Sequence, residues 1–594
     1  MSRPRDIARI LGKTEAANTG NTSLKLNDPG VVEGLQVYDS IALLPVAGLT
    51  AGDQAYVKSN SKLYISNGAG WYNRAIINAT PALTLSASGT IALTPGSATT
   101  ITMTATDSDN DNANLSLTLE SGGDLFKFAT ISQDSSVVTI TPRTEDSATA
   151  LGSDGSATLT FKASDGINQA TVQNTFTLAF GPDWTGSYAD QILDGDATNG
   201  SAFGASIGMS GDGNYAFISD QSGGGGTGQG RLFAYSKSGT TWSVHTSFGA
   251  ADGSNQTHYG IGNQTASLNS DGTFGVFGLP AYNSNKGALR VYKRTGSTYG
   301  NAQTLTQTAD NGAQLGTSVA MSNDGNYMIA GAPDAAGGKV HFFNLSNSSN
   351  NTWSTNGVFS RTTTDHSTLG QDVGIDATGV YAVAGAPSEG SSFPGYAYIY
   401  KRTGSTWALE TTLTNPDNEA NSRFGGGLAI NHDGDVLYVG AYAKNVGSGN
   451  EGGKIHMYTR SGTTWTLRAS FTSGTATNGE EAFGKKIACS ADGVTMVTGV
   501  PYIPGGAGSN ASAGYGGGIE IWTRDGNTMS NTKNIANNNL QSGGLSAGSA
   551  GAYDLFGLTL ATNNNGDEIM AGSTSGQKTG SGGTTGVVAV IRPS

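Results

Sequence analysis

The chain has 594 residues with 89 glycines, about twice the ordinary share, and recurring aromatic residues, which together predict an all-β protein with many tight turns. A net charge of −13 argues against nucleic acid and anionic membrane surfaces as partners, because phosphate groups repel an acidic protein. The single cysteine, Cys489, excludes an internal disulfide framework. The sequence contains no uninterrupted stretch of about 18 apolar residues, so it predicts no membrane-spanning helix.

The first segment, residues 1–33, is a basic arm on an otherwise acidic chain. Its opening sequence, MSRPRDIARILGK, contains Arg3, Arg5 and Arg9, which we expect to dock onto a partner protein. The segment has no continuous apolar stretch of the kind that secretion signals contain. We therefore expect the chain to be made in a cytoplasm without a signal peptide.

Residues 34–78 predict a small β module. The sequence GDQAYVKSNSKLYISNGAGWYN indicates two hairpin strands that end at Trp71 and Tyr72, preceded by a strand and a loop with proline and glycine. A module of this size buries only a thin core, so it needs a neighbouring domain or an oligomer for stability. We expect a homotrimer.

Residues 79–180 predict a β-sandwich. Segments such as SATLTFKASDG alternate Ser or Thr with apolar residues, which is typical of short strands with one buried face. The segment resembles the cadherin-like and bacterial Ig-like modules of surface proteins, and the resemblance implies a spacer role.

The sandwich also contains a candidate calcium site. The sequence DSDNDN places Asp107, Asp109 and Asp111 on one turn, and Asp165 lies in ASDG near the end of the domain. Calcium takes about six to eight oxygen ligands, mostly from carboxylates and carbonyls. The alternative is a turn whose carboxylates are solvated and bind no metal.

The rest of the chain is built from seven copies of one pattern. The copy FGGGLAINHDGDVLYVGAYA shows its parts: an aromatic-Gly pair, a short apolar run, a turn with Gly, a second apolar run and Gly-Ala. The copies start at Phe203, Tyr259, Leu315, Leu369, Phe424, Phe483 and Phe556. Internal repetition on this scale is typical of solenoids and propellers.

Each copy predicts a four-stranded antiparallel sheet with strands A to D. The two apolar runs are strands A and B, and a variable loop leads to strand C, such as GYAYIYKRTG, and strand D, such as TWALETTL. Sheets of this size repeated around an axis form a β-propeller, so residues 181–594 predict a seven-bladed propeller. An unclosed stack of repeats is the alternative.

The last copy lacks strand D, because the chain ends in GVVAVIRPS, which is its strand C. Residues 184–193, just before the first copy, look like an unpaired strand D. We expect this strand to pair with residues 586–591 and close the ring, since an open ring would leave two exposed sheet edges.

The repeats resemble the FG-GAP family, the blades of integrin α-subunit propellers. The aromatic-Gly pair and Gly-Ala-Pro after strand B carry the resemblance, as in 331–333 and 385–387. Many members bind calcium between strands A and B through an acidic D-x-D-x-D-G loop. The turns here, such as SGDGN and SADGV, hold too few carboxylates, so we interpret them as plain hairpins.

The loops between strands B and C are long and all differ, whereas the A–B and C–D turns are short and uniform. Insertions that collect on one face usually mark a binding face. The candidate binding residues there are Tyr282, Phe393, Tyr442, Tyr502 and Tyr515. Flat rings and short polar groups suit sugars, although the loops could instead be unselected spacers.

No sequence motif predicts an enzyme. The six histidines are scattered, and no G-x-S-x-G, H-E-x-x-H or phosphate-binding loop occurs. Asp417 and Glu419 are close in sequence, but loop carboxylates are first of all solvated residues. We therefore expect no catalytic residues and no cofactor apart from the candidate calcium.

The N-terminal arm and module resemble those of virion structural proteins from tailed phages of marine cyanobacteria and related bacteria. The resemblance depends on the hairpin GDQAYV…KLYISNGAGWYN and on the order of module, sandwich and repeats. It implies a tail fibre or surface-decoration protein that contacts other virion proteins through its N-terminus and a host-surface glycan or protein through its propeller. The alternatives are a secreted or cell-surface integrin-like adhesin of bacteria and a glycan-degrading propeller enzyme.

Overall fold

A computed structural model of the chain shows two compact units, Met1–Phe180 and Gly181–Ser594. The described residues are 35–75, 79–93, 97–108, 115–121, 129–142, 155–178, 182, 184–194, 202–221, 230–248, 265–296, 298–306, 311–361, 368–390, 392–443, 452–474, 482–502, 516–537, 540, 545–546, 555–574, 577–578 and 586–593. Within them helical structure is limited to short turns, among them the 3-10 turns Ile41–Leu43 and Lys58–Asn60 and the single turn α1, Tyr282–Asn285, in which Asn283 and Ser284 have left-handed φ angles of 49° and 58°. The predicted all-β fold is confirmed, and no helix in these ranges is long and apolar enough to cross a membrane.

The first unit begins with a four-stranded sheet. Its strands, in spatial order, are β1 (Gln36–Tyr38), β2 (Ala51–Val57), β3 (Lys62–Asn67) and β4 (Trp71–Ala75). Strands β1 and β2 are parallel, and the other pairs are antiparallel. The small core contains Ala55, Val57 and Tyr64, and the Trp71 indole donates a hydrogen bond to the Pro45 carbonyl at 2.8 Å.

Two further sheets of the first unit enclose one core. The first sheet has the spatial order β5 (Ala82–Leu85), β7 (Thr99–Thr106), β10 (Val137–Pro142) and β9 (Ala129–Asp134). The second sheet has the order β6 (Thr90–Leu93), β12 (Gln169–Leu178), β11 (Gly155–Ser164) and β8 (Ser116–Ser121). Ile101 and Val138 of one sheet pack in the same cluster as Phe161 and Phe176 of the other. The alternating sequence therefore places one face of each sheet in a shared interior.

The described part of the second unit contains seven four-stranded antiparallel sheets, here called sheets 1 to 7. Sheet 1 consists of β14 (Phe203–Met209), β15 (Tyr215–Asp220), β16 (Arg231–Ser238) and β17 (Thr241–Phe248), and sheet 2 of β18 (Ala266–Leu268), β19 (Phe274–Leu279), β20 (Ala288–Thr295) and β21 (Thr298–Thr306). Sheet 3 consists of β22 (Ser318–Met321), β23 (Tyr327–Ala332), β24 (Lys339–Asn347) and β25 (Thr352–Ser360), and sheet 4 of β26 (Val373–Ile375), β27 (Tyr381–Ala386), β28 (Tyr396–Thr403) and β29 (Thr406–Thr414). Sheets 5 and 6 consist of β30 (Phe424–Ile430), β31 (Val436–Ala441), β32 (Lys454–Ser461) and β33 (Thr464–Phe471), and of β34 (Ile487–Cys489), β35 (Thr495–Gly499), β36 (Gly518–Asp525) and β37 (Thr528–Ala536).

Sheet 7 combines strands from both ends of the unit. It consists of β39 (Thr559–Thr562), β40 (Ile569–Ser573), β42 (Val587–Pro593) and β13 (Tyr188–Leu193), while β38 (Leu545–Ser546) and β41 (Gln577–Lys578) form a separate ribbon. The missing strand D of the last copy predicts that residues 184–193 pair with 586–591, and the structure pairs β13 with β42 from Tyr188–Pro593 to Leu193–Val588. The buried Trp184 indole donates to the Gly566 carbonyl at 3.1 Å and so anchors the chain before β13.

The seven sheets are arranged in a closed ring. Their A strands contact one another in order, from sheet 1 to sheet 7 and back to sheet 1. One apolar cluster fills each junction between neighbouring sheets; at the closing junction, Phe203 and Phe233 of sheet 1 pack with Met570 and Val590 of sheet 7. Because both faces of a sheet are covered, the middle strands are rich in buried residues, and all six residues of β31 are buried.

The aromatic-Gly and Gly-Ala pairs meet at the junctions between sheets. The aromatic ring of Phe424 is fully buried, and its backbone bridges to Gly395, which precedes strand C of sheet 4. Gly425 has a φ of 86°, in the left-handed region that favours glycine. A Cβ on Gly385 would lie 1.9 Å from the Gly425 carbonyl oxygen, so the motif glycines allow neighbouring backbones to touch.

Candidate functional site

The face of the second unit that carries the A–B turns is closed by a ring of backbone hydrogen bonds. Each turn of the described chain is bonded to the next, with N···O distances from 2.7 to 3.3 Å. In order around the ring, the backbone amide donates to the carbonyl in the pairs Asp212 to Ser270, Ser270 to Asn323, Asp324 to Ala377, Ala377 to His432, His432 to Ala491, Ala491 to Asn564, and Asn564 to Gly211. This network requires short turns of uniform shape.

Four arginines brace the same face at equivalent positions in strand C. Arg294 donates to the carbonyls of Asp271 and Gly272 in the A–B turn and of Gly296 in the C–D turn, at 2.8 to 3.1 Å. Its guanidinium lies 4.0 Å from the centre of the Tyr215 ring in the preceding sheet. The other three are Arg402, Arg460 and Arg524. The sequence signal for this arrangement is the Arg-x-Gly that recurs just before strand D, and our sequence reasoning missed it.

The aspartates of the A–B turns bind their own turns. The Asp271 carboxylate accepts hydrogen bonds from the Thr273 amide and hydroxyl and from the Asn269 amide at 2.7 to 2.9 Å. Partial burial raises the pKa of Asp271, but these hydrogen bonds and the nearby Arg294 charge outweigh it, so the pKa lies below its ordinary value. The turn is therefore a hairpin held by its own carboxylate.

A cavity of about 170 Å³ lies where the A strands of all seven sheets meet. Apolar side chains and polar groups both line it, and the polar groups include Asn323 and His432, whose side-chain nitrogens are 2.8 Å apart. Burial lowers the pKa of His432 despite the nearby Asp433 and Asp492. Desolvation at the cavity wall raises the pKa of the Cys489 thiol to about 12, so this thiol is protonated and unreactive at neutral pH.

A buried ion pair joins the A-strand regions of sheets 4 and 6. The Lys486 ammonium lies 3.8 Å from one Asp372 oxygen, and the two side chains are 4% and 0% exposed. The other Asp372 oxygen accepts the Leu428 amide of sheet 5 at 2.9 Å. Burial raises the pKa of Asp372 and lowers that of Lys486, and each group opposes the shift of the other.

The opposite face carries the B–C loops and four of the five predicted binding residues. Tyr282, Phe393, Tyr442 and Tyr502 are each partly exposed, and Tyr515 lies outside the described residues. Tyr442 and Tyr502 both flank the Lys485 ammonium, at 5.7 and 5.6 Å from their ring centres. The structure therefore brings these two rings together around one cation.

The other two aromatic residues lie at different sheets. Phe393 follows strand B of sheet 4, and the Arg423 guanidinium lies 5.1 Å from the centre of its ring. Tyr282 packs against the core between sheets 1 and 2. Sequence reasoning missed Lys485 and Arg423, although both lie within two residues of an aromatic-Gly pair, in FGKK and SRFG.

The remaining candidates are only partly placed. Asp165 accepts the amides of Ile167 and Asn168 at 2.7 Å, so one of its oxygens holds its own turn. Asp107 is partly exposed, whereas Asp109, Asp111 and the arm residues Arg3, Arg5 and Arg9 lie outside the described residues. No group of three His, Cys, Asp or Glu side chains suited to a metal ion occurs in the part of the chain that the structure describes.

The ring of sheets around a central axis defines the architecture of the second unit. The described part of the second unit forms a β-propeller. No family model matches the sequence. No curated protein matches it either.

Three solved propeller-type structures are similar to the chain. The RRP9 WD40 repeats are 10% identical and cover 69% of this chain and 98% of their own, with a TM-score of 0.42. The periplasmic gluconolactonase PpgL of Pseudomonas aeruginosa is 14% identical and covers 65% and 93%, with a TM-score of 0.40. Sqt1 from Chaetomium thermophilum is 15% identical and covers 66% and 85%, with a TM-score of 0.38. Similarity at this level indicates neither an activity nor a ligand for this chain.

Proposed function

We propose that this chain is a virion structural protein, a tail fibre or a surface-decoration protein, whose propeller binds a host-surface glycan or protein. In this proposal residues 79–180 are an Ig- or cadherin-like spacer. Residues 181–594 are a closed seven-bladed propeller of the FG-GAP type. Seven sheets, an apolar cluster at each junction and the ring of turn hydrogen bonds support the blade number.

The difference between the two propeller faces carries the binding proposal. One face uses its turns, aspartates and arginines to hold neighbouring sheets together. The other face carries variable loops with partly exposed aromatic rings next to cations. These rings and charges take no part in the hydrogen bonds of the A–B turn ring, and aromatic and arginine side chains supply much of the energy of binding sites.

The N-terminal module supports the docking part of the proposal. Among its described residues, Ile41, Leu43, Val46 and Tyr72 are large apolar side chains with exposures of 53%, 50%, 96% and 61%. Exposed apolar groups concentrated in so small a module favour contact with another protein, as a thin core requires. Other virion proteins or further copies of this chain, in a trimer, are the partners we propose.

Localisation and competition test this function. Gold-labelled antibodies against the full chain would be applied to particles released by lysis from cells that express it, and purified full chain would compete with those particles for adsorption to host cells. We expect gold at the particle surface and reduced adsorption. Absence from particles together with labelling of the producing cell's envelope would contradict the proposal and favour the adhesin alternative.

A further inference from the structure

Lys485 lies between two tyrosine rings on the B–C loop face. Tyr442 follows strand B of sheet 5, Tyr502 follows strand B of sheet 6, and Lys485 precedes strand A of sheet 6. The ammonium nitrogen is 5.7 Å from the centre of one ring and 5.6 Å from the centre of the other. All three side chains are partly exposed, so the cluster is open to a ligand.

The Lys485 ammonium makes no hydrogen bond or ion pair with the residues that the structure describes; its contacts there are the two rings. Two other cations near the B–C loops have carboxylate partners. Arg361 binds Glu389 at 3.0 Å, and Lys454 binds Asp417 at 3.0 Å. Among the described residues no carboxylate neutralises Lys485, and at contact distance this local positive charge attracts an anion even though the chain as a whole carries a net charge of −13.

The fold holds the Tyr442 ring in place. A Cβ on Gly426 would lie 2.3 Å from Cε1 of Tyr442, so the ring packs directly on the backbone of Gly426. The turn before Lys485 is fixed by its amide, which donates to the Ala482 carbonyl at 3.0 Å. A ring and a cation that are held in advance lose less entropy when they bind a ligand.

A similar pairing occurs one junction earlier in the ring. The Arg423 guanidinium, next to the aromatic-Gly pair of sheet 5, lies 5.1 Å from the centre of the Phe393 ring in the B–C loop of sheet 4. It also donates to the Ser388 hydroxyl. A cation beside an aromatic ring of a B–C loop thus occurs at two successive junctions. A ligand that is a polymer of repeating units would need such a repeated arrangement.

We propose that Tyr442, Lys485 and Tyr502 form a subsite for a carboxylated sugar residue of the host-surface glycan. The inference rests on the proposed function and names its ligand class. The rings stack on the apolar C–H face of a pyranose, and the ammonium binds its carboxylate with a charge-assisted hydrogen bond. Arg423 and Phe393 bind a second carboxylated sugar residue of the same glycan.

Calorimetry on the full chain with a defined panel of saccharides tests this subsite. The panel contains oligosaccharides of glucuronic, galacturonic, mannuronic, guluronic and N-acetylneuraminic acid, the carboxyl-reduced form of each, and a sulfated neutral oligosaccharide. We expect at least one acidic oligosaccharide to bind and its reduced form to bind roughly tenfold or more weakly. Binding of no acidic member, equal binding of reduced forms, or a preference for the sulfated sugar overturns the proposal.

Substitutions at Lys485 and Tyr502 link the effect to these residues. Lys485→Gln should lower affinity for the acidic oligosaccharide by about tenfold, to that of the reduced form, because it removes the ammonium. Arg468→Gln is the control, since it removes one positive charge from the exposed outer strand of sheet 5. Tyr502→Phe should retain more affinity than Tyr502→Ala, because the phenyl ring still stacks. Equal losses in the lysine and arginine variants would mean that only net charge matters, and would overturn the subsite.

Binding to host cells separates this inference from the proposed function. If Lys485→Gln adsorbs to host cells as well as the unaltered chain does, the acidic subsite is wrong and the proposed receptor binding stands. If the unaltered chain fails to adsorb, the proposed function itself is wrong. Thermal unfolding of each variant, followed by circular dichroism, checks that the fold is retained.

Discussion

Single glycines decide how closely neighbouring sheets of the propeller approach. The Gly385 Cα faces the Gly425 carbonyl of the next sheet, and equivalent glycines at 331, 440 and 499 meet the same kind of carbonyl. Replacing one of them forces two backbones apart. The Gly-Ala pair of the repeat is therefore a packing requirement of the junction.

Gly385→Ala should destabilise the second unit by about 1–3 kcal/mol, because its Cβ would overlap the Gly425 carbonyl oxygen. Gly300→Ala is the matched control: its Cβ would meet nothing within 4 Å, and we expect a change within about 0.5 kcal/mol. Denaturant unfolding followed by tryptophan fluorescence measures both. Equal midpoints for the two variants would contradict the role given to Gly385.

The buried Asp372–Lys486 pair gives a pH-dependent prediction. In Lys486→Met, Asp372 loses the charge that opposes its desolvation, so its folded pKa rises further above the unfolded value. The cost is absent below an unfolded pKa of about 3.9, grows as pH rises from there towards the folded pKa, and is constant above the folded pKa. We expect a loss of about 3–5 kcal/mol at pH 7 that shrinks towards pH 4.

Unfolding free energies measured across this pH range check the result for Lys486→Met. The double variant Asp372→Leu with Lys486→Met is the control, because removal of both charges leaves no buried ion and should restore most of the stability. A stability loss that grows towards acidic pH would refute the explanation.

Residue roles were predictable to different degrees. The aromatic-Gly and Gly-Ala pairs were visible as a repeat, but their contact across a junction was not, because it joins residues about 40 positions apart. Tyr442 and Tyr502 were selected by loop position alone. Lys485 was missed because the sequence does not show that one lysine of FGKK faces two rings while the next is buried.

At the level of elements, sheet 7 depends on strands from both ends of the propeller, and one carboxylate secures its junction with sheet 1. The buried Glu568 accepts hydrogen bonds from the Lys237 ammonium at 2.6 Å and the Trp242 indole at 2.7 Å, both in sheet 1. It also accepts one from Arg592 of its own sheet at 2.6 Å. Glu568 therefore ties the closing sheet to its neighbour.

Glu568→Gln should destabilise the closing junction by about 1.5–3 kcal/mol, because two partly buried cations lose their shared counter-charge. Asp433→Asn is the control, since this exposed aspartate lies in an A–B turn of sheet 5, and we expect a negligible change. Hydrogen exchange resolved by peptide should show faster exchange in β13 and β42 of the glutamine variant. Protection unchanged in both strands would show that Glu568 does not secure the closure.

The strand content of the repeats was predictable because turn residues and apolar runs alternate at a constant spacing. The shared sheet was predictable from a missing strand D and the cost of an open edge. The Glu568 network was not, because it depends on Lys237, which is distant in sequence. The A–B turn ring was also missed, since backbone hydrogen bonds leave no mark on residue type.

For the whole molecule, the propeller divides into a face that holds the ring together and a face that is free to vary. Turn hydrogen bonds and arginine braces explain why the A–B and C–D turns are uniform. The B–C loops differ in length and sequence, and they carry the rings near the cations of the proposed binding site. This division is the basis of the functional account.

Adsorption of the full chain to host cells, compared between variants of the two faces, tests this account most directly. Tyr442→Ala with Tyr502→Ala alters the B–C loop face, and Asp433→Ala with Asp525→Ala alters exposed turn residues of the opposite face. We predict that the tyrosine double variant loses roughly tenfold or more in affinity and that the aspartate double variant binds as the unaltered chain does. Loss of binding through the aspartate variant alone, or equal loss through both, would contradict it.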